Sequence, residues 1–185
     1  MLKIAVILGS TRPNRNGKGV ADWVVEQASQ RTDAEFTLVD LHDMALPMLD
    51  EPLPAASGQY SHEHTRAWAQ TIAGFDGFIF VTPEYNHSTS GVLKNALDFI
   101  YAEWNNKAAG FVSYGSVGGV RAVEHLRVIA AELQIATVRA QVALPLATEF
   151  VDYSIFAPTE GQSETLSGML DQLVSWSTAM ATLRR

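Results

Sequence analysis

Residues 5–24 read AVILGSTRPNRNGKGVADWV, and the architecture of the whole chain can be worked out from this stretch. An apolar run stops at Gly9, and apolar residues at helical spacing resume near Val20. Residues Leu2 to Leu8 form a nearly unbroken β-favouring run, which is typical of a strand covered on both faces in a parallel sheet. The stretch therefore predicts a first central strand, a turn containing glycine, and a helix.

The turn between this strand and this helix has the character of an anion-binding site. Arg12, Arg15 and Lys18 lie in it, and the first 21 residues carry four basic and no acidic side chains, although the chain has a net charge of -7. A glycine-rich turn that leads into a helix presents unpaired N–H groups and the positive end of the helix dipole, which both favour a phosphate. Ser10 and Thr11 add hydroxyl donors. An ordinary strand-to-helix turn with incidental surface arginines is the alternative; the clustered cations favour phosphate.

Composition limits the classes of function. With 185 residues and 47% hydrophobic content, we expect one domain, residues 1–185, with a sizeable core. The pI of about 5.1 argues against a general nucleic-acid or anionic-membrane binder. The absence of cysteine excludes disulfides, thiolate catalysis and cysteine-ligated metals, and it fits a reducing compartment. Because no stretch resembles a signal peptide or a membrane span, we expect a cytoplasmic protein.

Strand and helix patterns alternate along the rest of the chain. Strand patterns recur at residues 35–41, 76–82, 108–114 and 136–144, and helical patterns at residues 19–29, 62–74, 92–104, 120–133 and 162–183. Strict alternation with right-handed crossovers predicts an α/β, flavodoxin-like doubly wound sheet of five parallel strands, in the order 2-1-3-4-5, with helices on both faces. The proline-containing connection at residues 42–61 is expected to be a surface loop near a site.

In that strand order, the loops that follow the first, third and fourth strands meet at the switch point, where such sheets bind ligands. The loops are residues 9–19, TPEYNHSTSG at residues 82–91 and SYGSVGG at residues 113–119. They offer a phosphate cradle at one end and, from Tyr85, Tyr114 and glycine backbone, a flat and partly aromatic slot at the other. Flavin mononucleotide (FMN) has this shape. The first loop lacks the dinucleotide fingerprint G-x-G-x-x-G, and Gly19 follows Lys18 where a P-loop requires Ser or Thr.

The helical pattern from Val92 to Trp104 has an apolar arc of roughly 200°, which is wider than one core contact requires. A subunit interface would use the excess. The alternative is a helix that its own chain buries more deeply than usual.

Three motifs resemble the NADPH-dependent FMN reductase family: GSTR at residues 9–12, TPEYNHSTSGVLKNALDF at residues 82–99 and GSVGG at residues 115–119. The resemblance spans most of residues 2–145. It implies a flavodoxin-like fold, bound FMN, NADPH or NADH as electron donor, and homodimers or homotetramers with the flavin near the interface.

The resemblance also implies the site residues. Ser10, Arg12 and the loop to Gly17 hold the FMN phosphate, Pro83 to Asn86 flank the isoalloxazine, and Ser113 to Gly119 approach its pyrimidine side. Many relatives read G-S-x-R-x-x-S; Arg15 stands in the place of the second serine, so that Arg15 or Asn16 replaces a hydroxyl contact. The residues expected to contact the cofactor are therefore Ser10, Thr11, Arg12, Arg15, Asn16, Gly17, Pro83, Glu84, Tyr85, Asn86, Ser113, Tyr114, Gly115, Ser116, Gly118 and Gly119.

No catalytic side chain is expected, because the flavin carries the hydride chemistry. Glu84 is interpreted as either a surface charge or a helix-capping carboxylate, and Arg121 as an exposed arginine in the first turn of its helix. No metal site is expected, since His62 and His64 are two residues apart and cannot share a helical face as an i, i+4 pair can.

These observations predict an FMN-dependent NAD(P)H oxidoreductase that transfers hydride from NADPH through the flavin to a flavin, a quinone or a similar small acceptor. No nucleic-acid or membrane partner is expected. A one-electron carrier of the flavodoxin type and a non-catalytic nucleotide-sensing module are the alternatives. The three cations of the first loop favour the reductase, because flavodoxin carriers typically cradle phosphate in a neutral, hydroxyl-rich loop.

Overall fold

The five-stranded parallel sheet expected from the sequence is present in the computed structural model, which describes residues 1–184. Its strands, in the spatial order β2-β1-β3-β4-β5, are β1 (Leu2–Leu8), β2 (Ala34–Asp40), β3 (Gly77–Pro83), β4 (Lys107–Gly115) and β5 (Ile135–Pro145). Each neighbouring pair is parallel. The order reverses between β1 and β3, so the predicted switch point is confirmed.

Helices cover both faces of this sheet. They are α1 (Gly17–Ala28), α2 (Leu41–Met44), α3 (Glu63–Ala73), α4 (Gly91–Asp98), α5 (Val120–Glu132), α6 (Leu146–Glu149) and α7 (Glu160–Ala181), with 3₁₀ turns at Ala55–Ser57, Ala102–Trp104 and Thr182–Arg184. One buried apolar cluster includes residues of α3, α4 and α5, and a second includes residues of α1 and α7. A sheet covered by two apolar layers explains why its central strands are continuous apolar runs. Within residues 1–184, no helix is both long and apolar enough to cross a bilayer.

The helix predicted from Val92 to Trp104 ends at Asp98, so that part of the prediction is wrong. The chain leaves the helix and continues into a 3₁₀ turn that carries Trp104. Trp104 is fully buried and packs edge-on against Trp68 of α3, with ring centroids 6.0 Å apart. The chain's own core therefore uses the wide apolar arc, which gives no evidence for a subunit interface.

A two-stranded antiparallel hairpin follows α6, and no sequence pattern predicted it. Its strands are β6 (Phe150–Val151) and β7 (Ile155–Phe156). Strands of two residues are too short to show the alternation by which strands are recognised. The hairpin lies between α6 and α7 in the chain, in a segment to which the sequence assigned no element.

The connection at residues 42–61 is largely irregular, as expected. The side chain of Asn95 in α4 fixes it, because Nδ2 donates to the Pro47 carbonyl at 2.7 Å and Oδ1 accepts from the Leu49 N–H at 2.9 Å. The carboxylate of Glu51 accepts from two backbone N–H groups at residues 61 and 62. His42, where the connection begins, lines a cavity beside the first loop. The connection thus packs against α4 and begins beside that loop.

Asp76, immediately before β3, ties together elements at the opposite end of the sheet. Its Oδ2 accepts from the Lys3 N–H at 2.9 Å, and its own N–H donates to the Lys3 carbonyl at 2.7 Å. Its Oδ1 forms an ion pair with Arg184 at 2.6 Å. The start of the first strand and the end of the last helical segment are therefore held by one carboxylate.

Lys107 begins β4 and is almost fully buried. Its Nζ donates to the Ile72 carbonyl in the last turn of α3 at 2.8 Å and lies 5.4 Å from the centroid of the Phe78 ring. A cation is favourable at a helix C-terminus. Burial, and to a smaller extent the charge of Arg184, nevertheless lowers the pKa of Lys107 to about 8.

Replacing Lys107 with Met should remove a pH-dependent part of the stability. The folded state lowers the pKa of Lys107 from 10.5 to about 8, so the folded protein releases this proton at a lower pH than the unfolded chain does. Relative to Lys107→Met, the free energy of unfolding of the wild type should therefore rise between about pH 8 and 10.5, by up to about 3 kcal/mol. Urea unfolding across that range measures the difference, and Lys3→Met, at an exposed lysine, is the control. Parallel pH profiles for wild type and Lys107→Met would contradict the assignment.

Candidate functional site

Three loops meet at the carboxyl end of the sheet and enclose a cavity of about 200 Å³. The cavity is lined by Arg12, Arg15, Asn16, Pro83, Glu84, Tyr85, Tyr114, Gly115, Ser116 and Leu146. All of these except Leu146 are among the residues expected to contact a cofactor. The convergence of the loops after β1, β3 and β4 follows directly from the strand order.

Gly9 brings the first loop into direct contact with β3. Its N–H donates to the Val81 carbonyl at 2.8 Å, and a Cβ at this position would lie 2.9 Å from the same oxygen. The Ser90 hydroxyl donates to the Gly9 carbonyl and accepts from the Leu93 N–H at 3.2 Å as the N-cap of α4. The first and second loops therefore fix each other, and only glycine fits at position 9.

The three cations of the first loop have different partners. Arg15 forms a two-pronged ion pair with Asp40, at the end of β2, and also donates to the Ser10 carbonyl. Lys18 pairs with Asp22 one turn along α1, at 2.6 Å. Arg12 is exposed at the cavity and has no hydrogen bond or ion pair with another of residues 1–184. Of these three cations, Arg12 is thus the one whose charge is not matched within the described chain.

Helix α1 begins at the cavity with its first turn uncapped by a side chain. Asn16 precedes the helix, but its Nδ2 donates to the Tyr153 carbonyl at 2.8 Å and makes no capping bond. The first backbone N–H groups of a helix have no partner within the helix and favour an anion. A Cβ at Gly17 would lie 2.5 Å from the Tyr114 hydroxyl, so glycine is needed for Tyr114 to pack against this turn.

The hydroxyl of Tyr114 is buried and has no hydrogen-bond partner of good geometry among residues 1–184. Burial raises the pKa of Tyr114, and the neighbouring Tyr85 raises it further, while the Ser10 hydroxyl, the Arg12 charge and the Gly17 N–H oppose the rise. A neutral phenol is a hydrogen-bond donor, and buried polar groups without a partner are rare in proteins. This donor, beside Arg12 and a helix N-terminus, matches an anionic ligand rich in oxygen.

The second loop contains a tight turn that holds Tyr85. The Tyr85 N–H donates to the Ser88 carbonyl at 2.9 Å, and the Ser88 N–H donates back at 3.1 Å. Asn86 and His87 both have positive φ, as a type I′ turn requires. The Tyr85 hydroxyl lies 3.3 Å from Ser10 Oγ, so this side chain reaches the first loop and forms a wall of the cavity. Asn86 is exposed and does not line the cavity.

Glu84 caps helix α5. Its carboxylate accepts from Arg121 Nε at 2.6 Å and from the Arg121 N–H at 3.2 Å, and its side chain is only 6% exposed. Of the two interpretations from the sequence, the capping carboxylate is therefore correct. Arg121 lies in the first turn of α5 with much of its side chain exposed, as expected.

The third loop is shaped by its own contacts. The Ser113 hydroxyl donates to the Gly118 carbonyl at 2.7 Å, so it is turned inward. Gly118 and Gly119 have positive φ, and a Cβ on Gly119 would lie 2.8 Å from the Tyr114 nitrogen. These three residues are not among those lining the cavity, whereas Gly115 and Ser116 are. They position the loop and leave Gly115 and Ser116 to face a ligand.

A second cavity, of about 420 Å³, adjoins the first and shares Arg12 and Arg15 with it. It is also lined by Thr11, Pro13, Asn14, Lys18 and His42. Small-molecule sites usually measure about 300–1,000 Å³, so the two cavities together reach the size that a mononucleotide needs. Sequence reasoning missed His42 and Leu146. His42 follows the carboxyl end of β2, and Leu146 follows that of β5. The predicted parallel strand order already placed both of these strand ends on the side of the sheet where the cavity lies.

The fold and the site define a flavodoxin-like α/β protein with a cavity at its switch point that Arg12 and Arg15 line. A family model described as NADPH-dependent FMN reductase matches residues 2–149. An NAD(P)H-dependent FMN reductase of Schizosaccharomyces pombe is 42% identical over 158 residues, which cover 84% of this chain and 79% of that protein. The chain belongs to the NADPH-dependent FMN reductase family, and it is an NAD(P)H-dependent oxidoreductase that uses FMN.

One further relative and one solved structure are also similar to this chain. A 2-hydroxy-1,4-benzoquinone reductase of Burkholderia sp. is 38% identical over 144 residues, which cover 72% of this chain and 73% of that protein. The solved structure of FerB, a flavoenzyme NAD(P)H:(acceptor) oxidoreductase of Paracoccus denitrificans, superposes with a TM-score of 0.75 at 23% identity. The superposition covers 97% of this chain and 99% of FerB, so the two share one fold.

Proposed function

We propose that the enzyme binds FMN between the three loops and passes reducing equivalents from NADPH or NADH to a quinone or a free flavin. One observation carries the assignment of the site: Arg12 and the Tyr114 hydroxyl, which both lack a partner within residues 1–184, lie with the first turn of α1 at one cavity. A phosphate uses all three. The relatives that are named FMN reductase and benzoquinone reductase support the two classes of acceptor.

The side chains bind and orient the cofactor. Arg12 and the N–H groups at the start of α1 would hold the phosphate. The Tyr114 hydroxyl would donate a hydrogen bond to an oxygen atom of the ligand. Pro83 and Tyr85 form one wall and exclude water, and the backbone of Gly115 allows close approach from the other side. Bound there, FMN would supply the hydride and electron-transfer chemistry between the nicotinamide and the acceptor. The one-electron carrier and the sensing module are set aside, because the family and its relatives are reductases.

Protein reconstituted with FMN and desalted should retain the visible absorbance of the flavin, and anaerobic NADPH should bleach it. A benzoquinone added afterwards should restore the absorbance, because it accepts the electrons. The same titration with NADH compares the two donors. Retained absorbance that NADPH leaves unchanged would favour the electron carrier instead, and loss of all FMN on desalting would contradict a bound cofactor.

Arg12→Ala should raise the dissociation constant of FMN by about 10- to 100-fold, since hydrogen bonds to charged groups contribute about 1.5–3 kcal/mol. Titration of FMN fluorescence with apoprotein measures the constant. Lys18→Ala is the matched control, because Lys18 lies in the same segment but is paired with Asp22 and half exposed. Its effect should be much smaller. An equal loss of FMN affinity in the two variants would contradict a direct contact between Arg12 and the phosphate.

We further propose a homo-oligomer that forms through the face between the N-terminus of α4 and helix α5. A mainly apolar cavity of about 510 Å³ lies there, lined by Ser88, Thr89, Ser90, Gly91, Lys94, His125, Val128 and Ile129. Val128 is 74% exposed. Val128 thus exposes apolar surface that a second copy of the chain would cover. We propose this face as the interface instead of the apolar arc from Val92 to Trp104, because that arc is buried in the core of its own chain.

Val128→Glu should therefore give a smaller particle in light scattering, because a charge is costly to bury in an apolar interface. Val151→Glu, at another exposed valine on the hairpin, should leave the mass of the assembly unchanged. A wild-type monomer, or an unchanged mass for Val128→Glu, would argue against this interface.

A further inference from the structure

The β6–β7 hairpin, residues 150–156, lies against the start of α1 and has no part in the function described so far. It follows Glu149 directly, and Glu149 is the last residue that the family model matches. The hairpin is therefore an element of this chain beyond the matched segment. Its contacts lead to both ends of the flavin cavity.

The turn of the hairpin is bonded to the first loop. The Tyr153 carbonyl accepts from Asn16 Nδ2 at 2.8 Å, and Asn16 lines the cavity. Asp152 and Tyr153 have φ of 50° and 56°, and the Ser154 N–H closes the turn on the Val151 carbonyl at 3.1 Å. Two consecutive left-handed residues without a glycine are unfavourable, so contacts outside the turn must maintain this conformation.

Aromatic packing supplies those contacts at the base of the hairpin. The Phe156 ring lies 5.5 Å from the Trp23 ring of α1, in an edge contact, and 5.2 Å from the Phe150 ring. The Phe150 ring in turn lies 6.1 Å from the ring of Tyr114. The hairpin therefore touches the helix whose N-terminus faces the cavity and the tyrosine whose hydroxyl points at that N-terminus.

The buried carboxylate of Glu149 fixes the hairpin from behind. It accepts from the Thr159 N–H at 2.8 Å and from Gln162 Nε2 at 3.2 Å, while its backbone carbonyl accepts from the Ala157 N–H at 2.9 Å. Leu146, at the start of the same short helix α6, lines the flavin cavity. The segment from Leu146 to Phe156 therefore runs from one wall of the cavity to the phosphate-binding turn.

We propose that the hairpin slows the release of FMN by holding Asn16, the first turn of α1 and Tyr114 in place around the cavity. The inference rests on the proposed FMN site. Asn16, the start of α1 and Tyr114 cannot separate while the hairpin is bonded to the first and packed on the other two. A hairpin that keeps these groups in position therefore slows the loss of the ligand that they bind. A hairpin that only covered apolar surface of α1 would change the stability and not the rate of FMN release.

The geometry permits a reversible test. A Cβ added to Gly19 would lie 3.5 Å from the Cβ of Phe156, within the range of about 3.5–4.5 Å that a disulfide spans. The chain has no cysteine, so the double variant Gly19→Cys/Phe156→Cys has no competing thiols. We expect FMN release to be at least about tenfold slower in the oxidised form than in the reduced form, because affinity changes usually appear in the dissociation rate. Release is followed by flavin fluorescence after dilution into an excess of an apo-flavodoxin trap.

The controls are wild type and the two single-cysteine variants. Their rates of FMN release should be the same with and without a thiol reductant. A second pair of variants covers the case in which the disulfide does not form. Phe156→Ala should speed FMN release about tenfold, although it also lowers the thermal midpoint of the apoprotein, because its ring packs on Trp23 and Phe150. Ile155→Ala, at the neighbouring exposed side chain, should change the release rate less than about twofold.

Two results would overturn the inference, and they have different meanings. If wild type binds FMN but release is equal in the oxidised and reduced double variant, and Phe156→Ala releases FMN as slowly as Ile155→Ala does, the hairpin does not retain the cofactor while the FMN site stands. If wild type binds no FMN at all, the proposed function fails and the role of the hairpin fails with it.

Discussion

The contact between Gly9 and strand β3 is the constraint on which the site depends. The Gly9 N–H reaches the Val81 carbonyl at 2.8 Å, and the Ser90 hydroxyl holds the Gly9 carbonyl from the other side. Any side chain at position 9 would meet the Val81 oxygen and the Leu93 side chain. The strand order reverses between the neighbouring strands β1 and β3. The contact therefore brings the loop after β1 and the loop after β3 to one cavity. The third loop follows, since β4 pairs with β3.

Charge at the site is arranged by local pairing and not by the overall balance of the protein. The chain is acidic, with a net charge of -7, yet its first loop is basic. Asp40 and Asp22 match Arg15 and Lys18, and Glu84 matches Arg121. The Arg15 and Arg121 pairs fix the first loop and the start of α5 through several hydrogen bonds each. Arg12 is left to meet a ligand, and a site with one unmatched cation beside a helix N-terminus suits a phosphate.

The sequence predicted what depends on long patterns. Strand β1 was predicted with its observed ends, and the strand order and the convergence of the loops followed from alternating elements. Features that depend on single side chains could not be predicted. Apolar spacing continues past Asp98 although the backbone leaves the helix, because Trp104 is needed in the core. The pairing of Arg15 with Asp40 joins residues 25 positions apart and leaves no periodic signal. The hairpin is too short to leave one.

The contacts of the Asp76 carboxylate affect how the protein unfolds locally. It holds the start of β1 and Arg184 at once, and it begins the strand that lies at the centre of the sheet. Elements near the two ends of the chain, which usually fray independently, are thus joined at one point. Opening of the last helical segment would release a bond that β1 shares, so hydrogen exchange in these two elements should become correlated. The parts of the molecule most distant along the chain would then belong to one cooperative unit, at the end of the sheet opposite the cavity.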